Sequence, residues 1–113
     1  MQISADAIML VTSAVDMRTG ADGLSLYVQQ QLGRSPCDGT MYIFTNRSRT
    51  RMKLVCWDGT GVWLCQRRLH RGRFIWPKPG ATSWQISAEQ WQWLTMGVDW
   101  QRLTAPAPAE WQL

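Results

Sequence analysis

The sequence predicts a small α+β domain, an antiparallel sheet with a central β-hairpin (51–57/62–69) packed by two helices at about 21–32 and 88–96. Three observations carry that prediction. Two strand-like runs flank Asp58-Gly59-Thr60-Gly61, residues suited to closing a hairpin. Leu24, Tyr27, Val28 and Leu32 fall at helical spacing. Ser87-Ala88-Glu89-Gln90 has the form of a capping box, with Ser87 accepting from the backbone and Gln90 reaching back. At 113 residues and 45% hydrophobic content, the chain suffices for one core but not two. A single domain is therefore expected over residues 1–103.

Taken in order, the continuous apolar run at 8–12 reads as a strand buried on both faces. In the first helix Asp22 suits the positive end of the macrodipole and Gly33 marks the stop. After a turn-rich stretch containing Pro36 and Gly39, Met41-Tyr42-Ile43-Phe44 reads as a second strand. The hairpin follows in one of two registers. A four-residue loop sets Trp57 opposite Val62, Val55 opposite Leu64, Lys53 opposite Gln66 and Arg51 opposite Arg68. A two-residue Asp58-Gly59 turn shifts those partners but leaves the basic residues at the open end. The sheet is expected to continue through Phe74-Ile75-Trp76, to stop at Pro77 and Pro79, and to resume near 83–86. Gly97 ends the last helix, and the tail 104–113, with Pro106 and Pro108 among alanines, is expected to be extended or disordered.

The N-terminal apolar run is short and lacks a basic lead-in, which argues against a signal peptide or membrane span and for a cytoplasmic protein. Three cysteines, Cys37, Cys56 and Cys65, include no Cys-x-x-Cys pair, and His70 is the one histidine. That pattern favours reduced thiols over zinc. Cys56 and Cys65 read either as a redox pair or as two small buried hydrophobes.

Charge is segregated along the chain. Residues 47–78 hold nine bases, Arg47, Arg49, Arg51, Lys53, Arg67, Arg68, Arg71, Arg73 and Lys78, against the single acid Asp58. Clustered cations gain by releasing counterions from a polyanion, so Arg47, Arg49, Arg51, Lys53, Arg67, Arg68, Arg71 and Arg73 are candidate phosphate contacts on DNA. The plainer alternative is a solvated strand face that discourages edge-to-edge aggregation. In Arg71-Gly72-Arg73 the glycine lets backbone approach a phosphate between two guanidinium forks, or makes an ordinary turn. Phe74 and Trp76 alternate onto one side, either as a stacking platform for bases or as core. Trp93, Met96 and Trp100 fall on one stripe of the last helix and Trp91 on another, so the three tryptophans are candidates for a partner interface.

Asp16, Asp22, Asp58 and Asp99 are the carboxylates to consider for metal-dependent catalysis. Each has a structural role to hand: a local ion pair with Arg18, a helix start, a turn and a helix end. With no phosphate-cradling glycine loop or nucleophile–base pair in the sequence, no enzymatic activity, metal or cofactor is expected.

Five blocks run in order along the chain: V-D-M-R-x-G-x-D-G-L (15–24), Y-I-F-x-N-R (42–47), K-L-V-C-W-D-G-T-G (53–61), R-L-x-R-G-R-F-I-W-P (68–77) and G-V-D-W (97–100). In these blocks, and in the D-x-x-G-x-W-L-x-x-R-R-L stretch at 58–69, the chain resembles the TnpB-type accessory protein encoded by the second reading frame of bacterial insertion sequences of family sixty-six. The resemblance implies a noncatalytic protein needed beside a separate, larger transposase. The tryptophan-rich last third, with Trp91, Trp93 and Trp111, departs mildly from that pattern. Two functions fit: an accessory factor that binds DNA through the basic hairpin, or an adaptor that binds the transposase or another element-encoded protein.

Overall fold

A computed structural model of the protein describes residues 5–103, so the tail expected at 104–113 lies outside the described residues. Strand β1 (Ala7–Val11) and strand β2 (Thr40–Thr45) are the short apolar runs, and every residue of β2 is buried. Complete burial of a strand requires neighbours on both sides and cover on both faces. The two strands pair in parallel, from Ala7↔Thr40 to Leu10↔Ile43. A parallel pair cannot be joined by a tight turn, and helix α1 (Ala21–Leu32) supplies the crossover. The expected wholly antiparallel sheet is thus corrected to a mixed one.

Strands β3 (Arg51–Trp57), β4 (Val62–Arg68) and β5 (Ser83–Ile86) complete five strands in the order β4-β3-β2-β1-β5. β3 and β4 pair from Arg51↔Arg68 to Trp57↔Val62, the register of a four-residue loop. β5 runs antiparallel to β1 at the opposite edge.

Alternation along the strands separates two cores. Met9, Val11, Tyr42, Phe44 and Val55 face Leu24 and Val28 of α1. The helix is stopped by Gly33 at φ 64°, which closes a hydrogen bond back to the Val28 carbonyl. On the other face Leu10, Met41, Ile43, Met52, Leu54 and Cys56 pack against Phe74, Trp76, Leu94 and Trp100. Helix α2 (Ala88–Thr95) begins at the Ser87/Gln90 capping box, with Ser87 N–H donating to Gln90 Oε1 at 2.8 Å and Gln90 N–H to Ser87 Oγ at 3.1 Å.

Two expectations fail on this second face. Phe74-Ile75-Trp76 is extended but pairs with no strand, because its polar groups bind elsewhere. Phe74 N–H donates to the Arg49 carbonyl at 2.7 Å, the Trp76 indole N–H to the Val11 carbonyl at 2.9 Å, and the Trp100 indole N–H to the Ile75 carbonyl at 2.6 Å. The segment is a strap across the core. The second failure concerns the expected stripe of the last helix. Gly97, at φ 74°, breaks the helix, and Trp100 enters the core from a separate 3-10 turn (Trp100–Leu103), while Met96 is 60% exposed.

Trp100 is fully buried and hydrogen-bonded, so Trp100→Ala is expected to cost about 3–5 kcal/mol in urea unfolding. Ser87→Ala, which removes one side of a helix cap, should cost about 1 kcal/mol. A Trp100→Ala loss no larger than that of Ser87→Ala would contradict the central place given to the indole.

Candidate nucleic-acid interface

Strand directions decide where the basic residues gather. β1, β2 and β4 end, and β3 and β5 begin, at one end of the sheet. Two loops there carry most of the arginines. In the first, 46–50, Asn46 is the organiser: its Oδ1 accepts from Thr50 N–H at 3.0 Å and Arg51 N–H at 3.1 Å, and its Nδ2 donates to Ser48 Oγ at 3.1 Å. The second, 69–73, turns at Gly72 with φ 75°. Leu69 N–H donates to the Thr50 carbonyl at 3.0 Å, which together with the Phe74–Arg49 bond fastens one loop to the other.

Arg47, Arg51, Arg67, Arg68, Arg71 and Arg73 are exposed at this end. They do not share one hairpin face. Arg51 and Arg68 lie opposite each other on the α1 side, whereas Arg67 projects to the α2 side and donates from Nε to the Thr95 carbonyl at 2.7 Å. That contact satisfies a last-turn carbonyl and sets a cation at the negative end of the helix. The ion pairs among the described residues, Arg18–Asp16 and Arg34–Asp38, lie outside the 47–73 stretch.

Two predicted contacts behave differently. Lys53 is 8% exposed and its Nζ donates to the Thr19 carbonyl at 2.9 Å, so it is withdrawn from the exposed set. Its position on β3 points inward beneath the α1 side, where a flexible stem can carry the ammonium to a carbonyl. Arg49 is half-buried, with its guanidinium carbon 5.8 Å from the Trp76 ring centre, and burial pushes its pKa down from the usual value.

The aromatic candidates are mostly core. Phe74 and Trp76 are buried, their alternation serving the interior, so neither is free to stack on a base. Trp100 is likewise removed from the candidate interface. Trp91 and Trp93 are half-buried against the α2-side core, and Trp91 lines a small apolar recess with Met52, Leu54 and Cys65. Exposed apolar groups that the sequence did not single out lie on edge strand β4: Val62, Trp63 and Leu64. Their signal was the unbroken apolar run beside a turn, which reads equally well as a buried strand.

The carboxylates have structural partners. Asp16 is held to a pKa of about 2 by the Arg18 side chain and backbone. Asp58 Oδ1 accepts from Thr60 N–H and Gly61 N–H, both at 3.0 Å, and its Oδ2 from the Trp63 indole at 2.9 Å. Among the described residues no three His, Cys, Asp or Glu side chains converge as a metal site, and no helix is long and apolar enough to cross a membrane. Cys56 and Cys65 are not joined in a disulfide; they lie diagonal across β3 and β4, and burial pushes the Cys56 thiol up.

The Thr60 backbone N–H, followed by the Trp63 indole, holds the Asp58 pKa below its ordinary value. Its stabilising effect is therefore complete above the unfolded-state value of about 3.9 and lost as pH falls through the lower folded value. A carboxyl-carbon NMR titration should find Asp58 below about 3.9, with the Trp63 indole proton moving in step. Titration at the ordinary value, with an unmoved indole signal, would contradict the bonding described.

Residues 6–105 match the family described as IS66 Orf2 like protein. Two proteins of Sinorhizobium fredii are similar: the uncharacterized protein y4hO, 38% identical over 94 residues covering 83% of this chain and 82% of that protein, and the uncharacterized protein y4jC, 33% identical over 96 residues covering 85% and 82%. No solved structure matches the chain. With residues 6–105 inside that match, the chain belongs to the IS66 Orf2-like family, the transposition-associated accessory proteins of bacterial insertion sequences.

Proposed function

We propose that the protein is a noncatalytic accessory factor that holds DNA during transposition of its insertion sequence, gripping backbone phosphates with the arginine end of the sheet. One observation carries this reading: six exposed arginines, three from two fastened loops and three from the adjoining ends of β3 and β4, crowd one end of a small domain, and its ion pairs lie elsewhere among the described residues. Cations left without carboxylate partners keep their attraction for a polyanion. The loops hold the arginine backbones in place, which reduces what binding must order. Phosphate contacts carry no base information, so this surface favours DNA without choosing a sequence.

A second reading, an adaptor that binds the transposase or another element-encoded protein, is favoured by the β4 edge. Val62, Trp63 and Leu64 are between 36% and 42% exposed on a strand whose outer side is unpaired. An open strand edge with apolar side chains suits addition of a strand from another protein.

Fluorescence anisotropy with a labelled duplex separates the two. Six phosphate contacts should cost about three decades of affinity between 50 and 200 mM salt. Converting Arg68, Arg71 and Arg73 together to glutamine should lower the salt slope by about three. Duplex binding that is absent at low salt, or unchanged by this triple substitution, would overturn the DNA reading. Under the adaptor reading, Leu64→Lys abolishes nuclease-resistant co-purification with the transposase and leaves duplex affinity intact.

A further inference from the structure

Beside the arginine loops lies a recess of about 400 Å³, lined by residues that include Thr12, Ser13, Arg47, Arg49, Gly80 and Thr82. It sits where β1 and β2, the parallel pair, both end. The ends of adjacent parallel strands leave a crevice between their departing loops, a recurrent place for ligands in sheets of this kind.

Three independent features converge on it. Arg49 adopts φ 62°, and it is the one non-glycine residue with positive φ among the described residues. Glycine or asparagine takes that conformation readily, whereas arginine there is strained and persists only where its surroundings hold it. Arg49 Nη1 is also buried and meets no hydrogen-bond acceptor among the described residues. Finally, Thr12, only 6% exposed, holds its Oγ1 in the same condition on another wall. Buried polar groups are nearly always partnered, and these two belong to residues that line a single recess, so one acceptor there would serve both.

We infer that this recess is a binding site for one phosphate group, held by the Arg49 and Arg47 guanidinium groups and the Thr12 hydroxyl. Donors reach it from separate segments, the β1 end and the β2–β3 loop, which suits a tetrahedral oxyanion with oxygens pointing several ways. The Arg49 guanidinium carbon lies 5.8 Å from the Trp76 ring centre, a cation–π contact that helps to place the group. Of the nearby acids, Asp16 lies next to Arg47 in the adjoining hollow, but its carboxylate is already engaged by Arg18 at 2.7 Å. The phosphate source differs between a DNA backbone and free phosphate. The former rests on the DNA-holding reading above; the latter does not.

The test is an NMR titration of wild type, Thr12→Val and Arg49→Gly with inorganic phosphate at constant ionic strength, followed by a hydroxyl-ended duplex. In wild type the Arg49 Nε–H and the Thr12 and Thr82 amide signals should shift and saturate. Both variants should lose at least about tenfold in phosphate affinity. Arg49→Gly suits the positive φ, and Thr12→Val removes a partnerless hydroxyl, so both should keep the native amide spectrum and Thr12→Val should melt higher. Absence of saturating shifts at the recess in wild type, or wild-type phosphate affinity in either variant, overturns the inference. Duplex binding without phosphate shifts at the recess sinks the inference and leaves DNA holding intact. Phosphate binding without duplex binding does the reverse.

Discussion

The strap from Phe74 to Trp76 is the contact on which the rest depends. It crosses the α2-side core and is fastened at three points, to the Arg49 carbonyl, to the end of β1 through the Trp76 indole, and to the Trp100 indole through the Ile75 carbonyl. Each bond joins regions far apart in sequence. Through them, the packing of two tryptophans fixes where loop 69–73 leaves the core and so how it faces loop 46–50. The indoles gain by burial, and their N–H groups find carbonyls, as buried tryptophan requires. Interior packing and the basic surface are thus one structural unit.

That coupling explains why residues of like type take different roles. Lys53 and Arg51 are two residues apart on β3 and point the same way, but one is covered and the other lies at the end of the strand. Position along the strand, and not charge, decides which cation reaches solvent. Arg49 and Arg47 share a loop; Arg49, at positive φ, has its guanidinium over Trp76 while Arg47 stays exposed. The basic end is therefore graded, from free cations at the rim to a desolvated one against the core.

What the sequence disclosed was local. The capping box at Ser87, the stop at Gly33 and the loop 58–61 depend on residues within five positions of each other, so their chemistry is readable without the fold. The loop left two hairpin registers open, and the pairing of Arg51 with Arg68 belongs to the four-residue one. Relations across the fold were not readable. A continuous apolar run is the same for a parallel and an antiparallel central strand, so the β1–β2 pairing was missed. The alternation of Phe74 and Trp76 was visible, but not that the face they share is the core. The clustering of arginines was legible as charge along the chain; that they ring one end of the sheet, with Lys53 withdrawn, needed the strand order.

The central claim, that this arginine end is the surface that meets DNA, is tested most directly by footprinting arginines with phenylglyoxal and reading each site by mass spectrometry, with and without duplex. Arg51, Arg68, Arg71 and Arg73 should be protected by DNA, while Arg18 and Arg34 at the ion pairs react equally in both states. Equal modification of all of them in the presence of bound duplex, or protection centred on Arg18 and Arg34, would contradict the account.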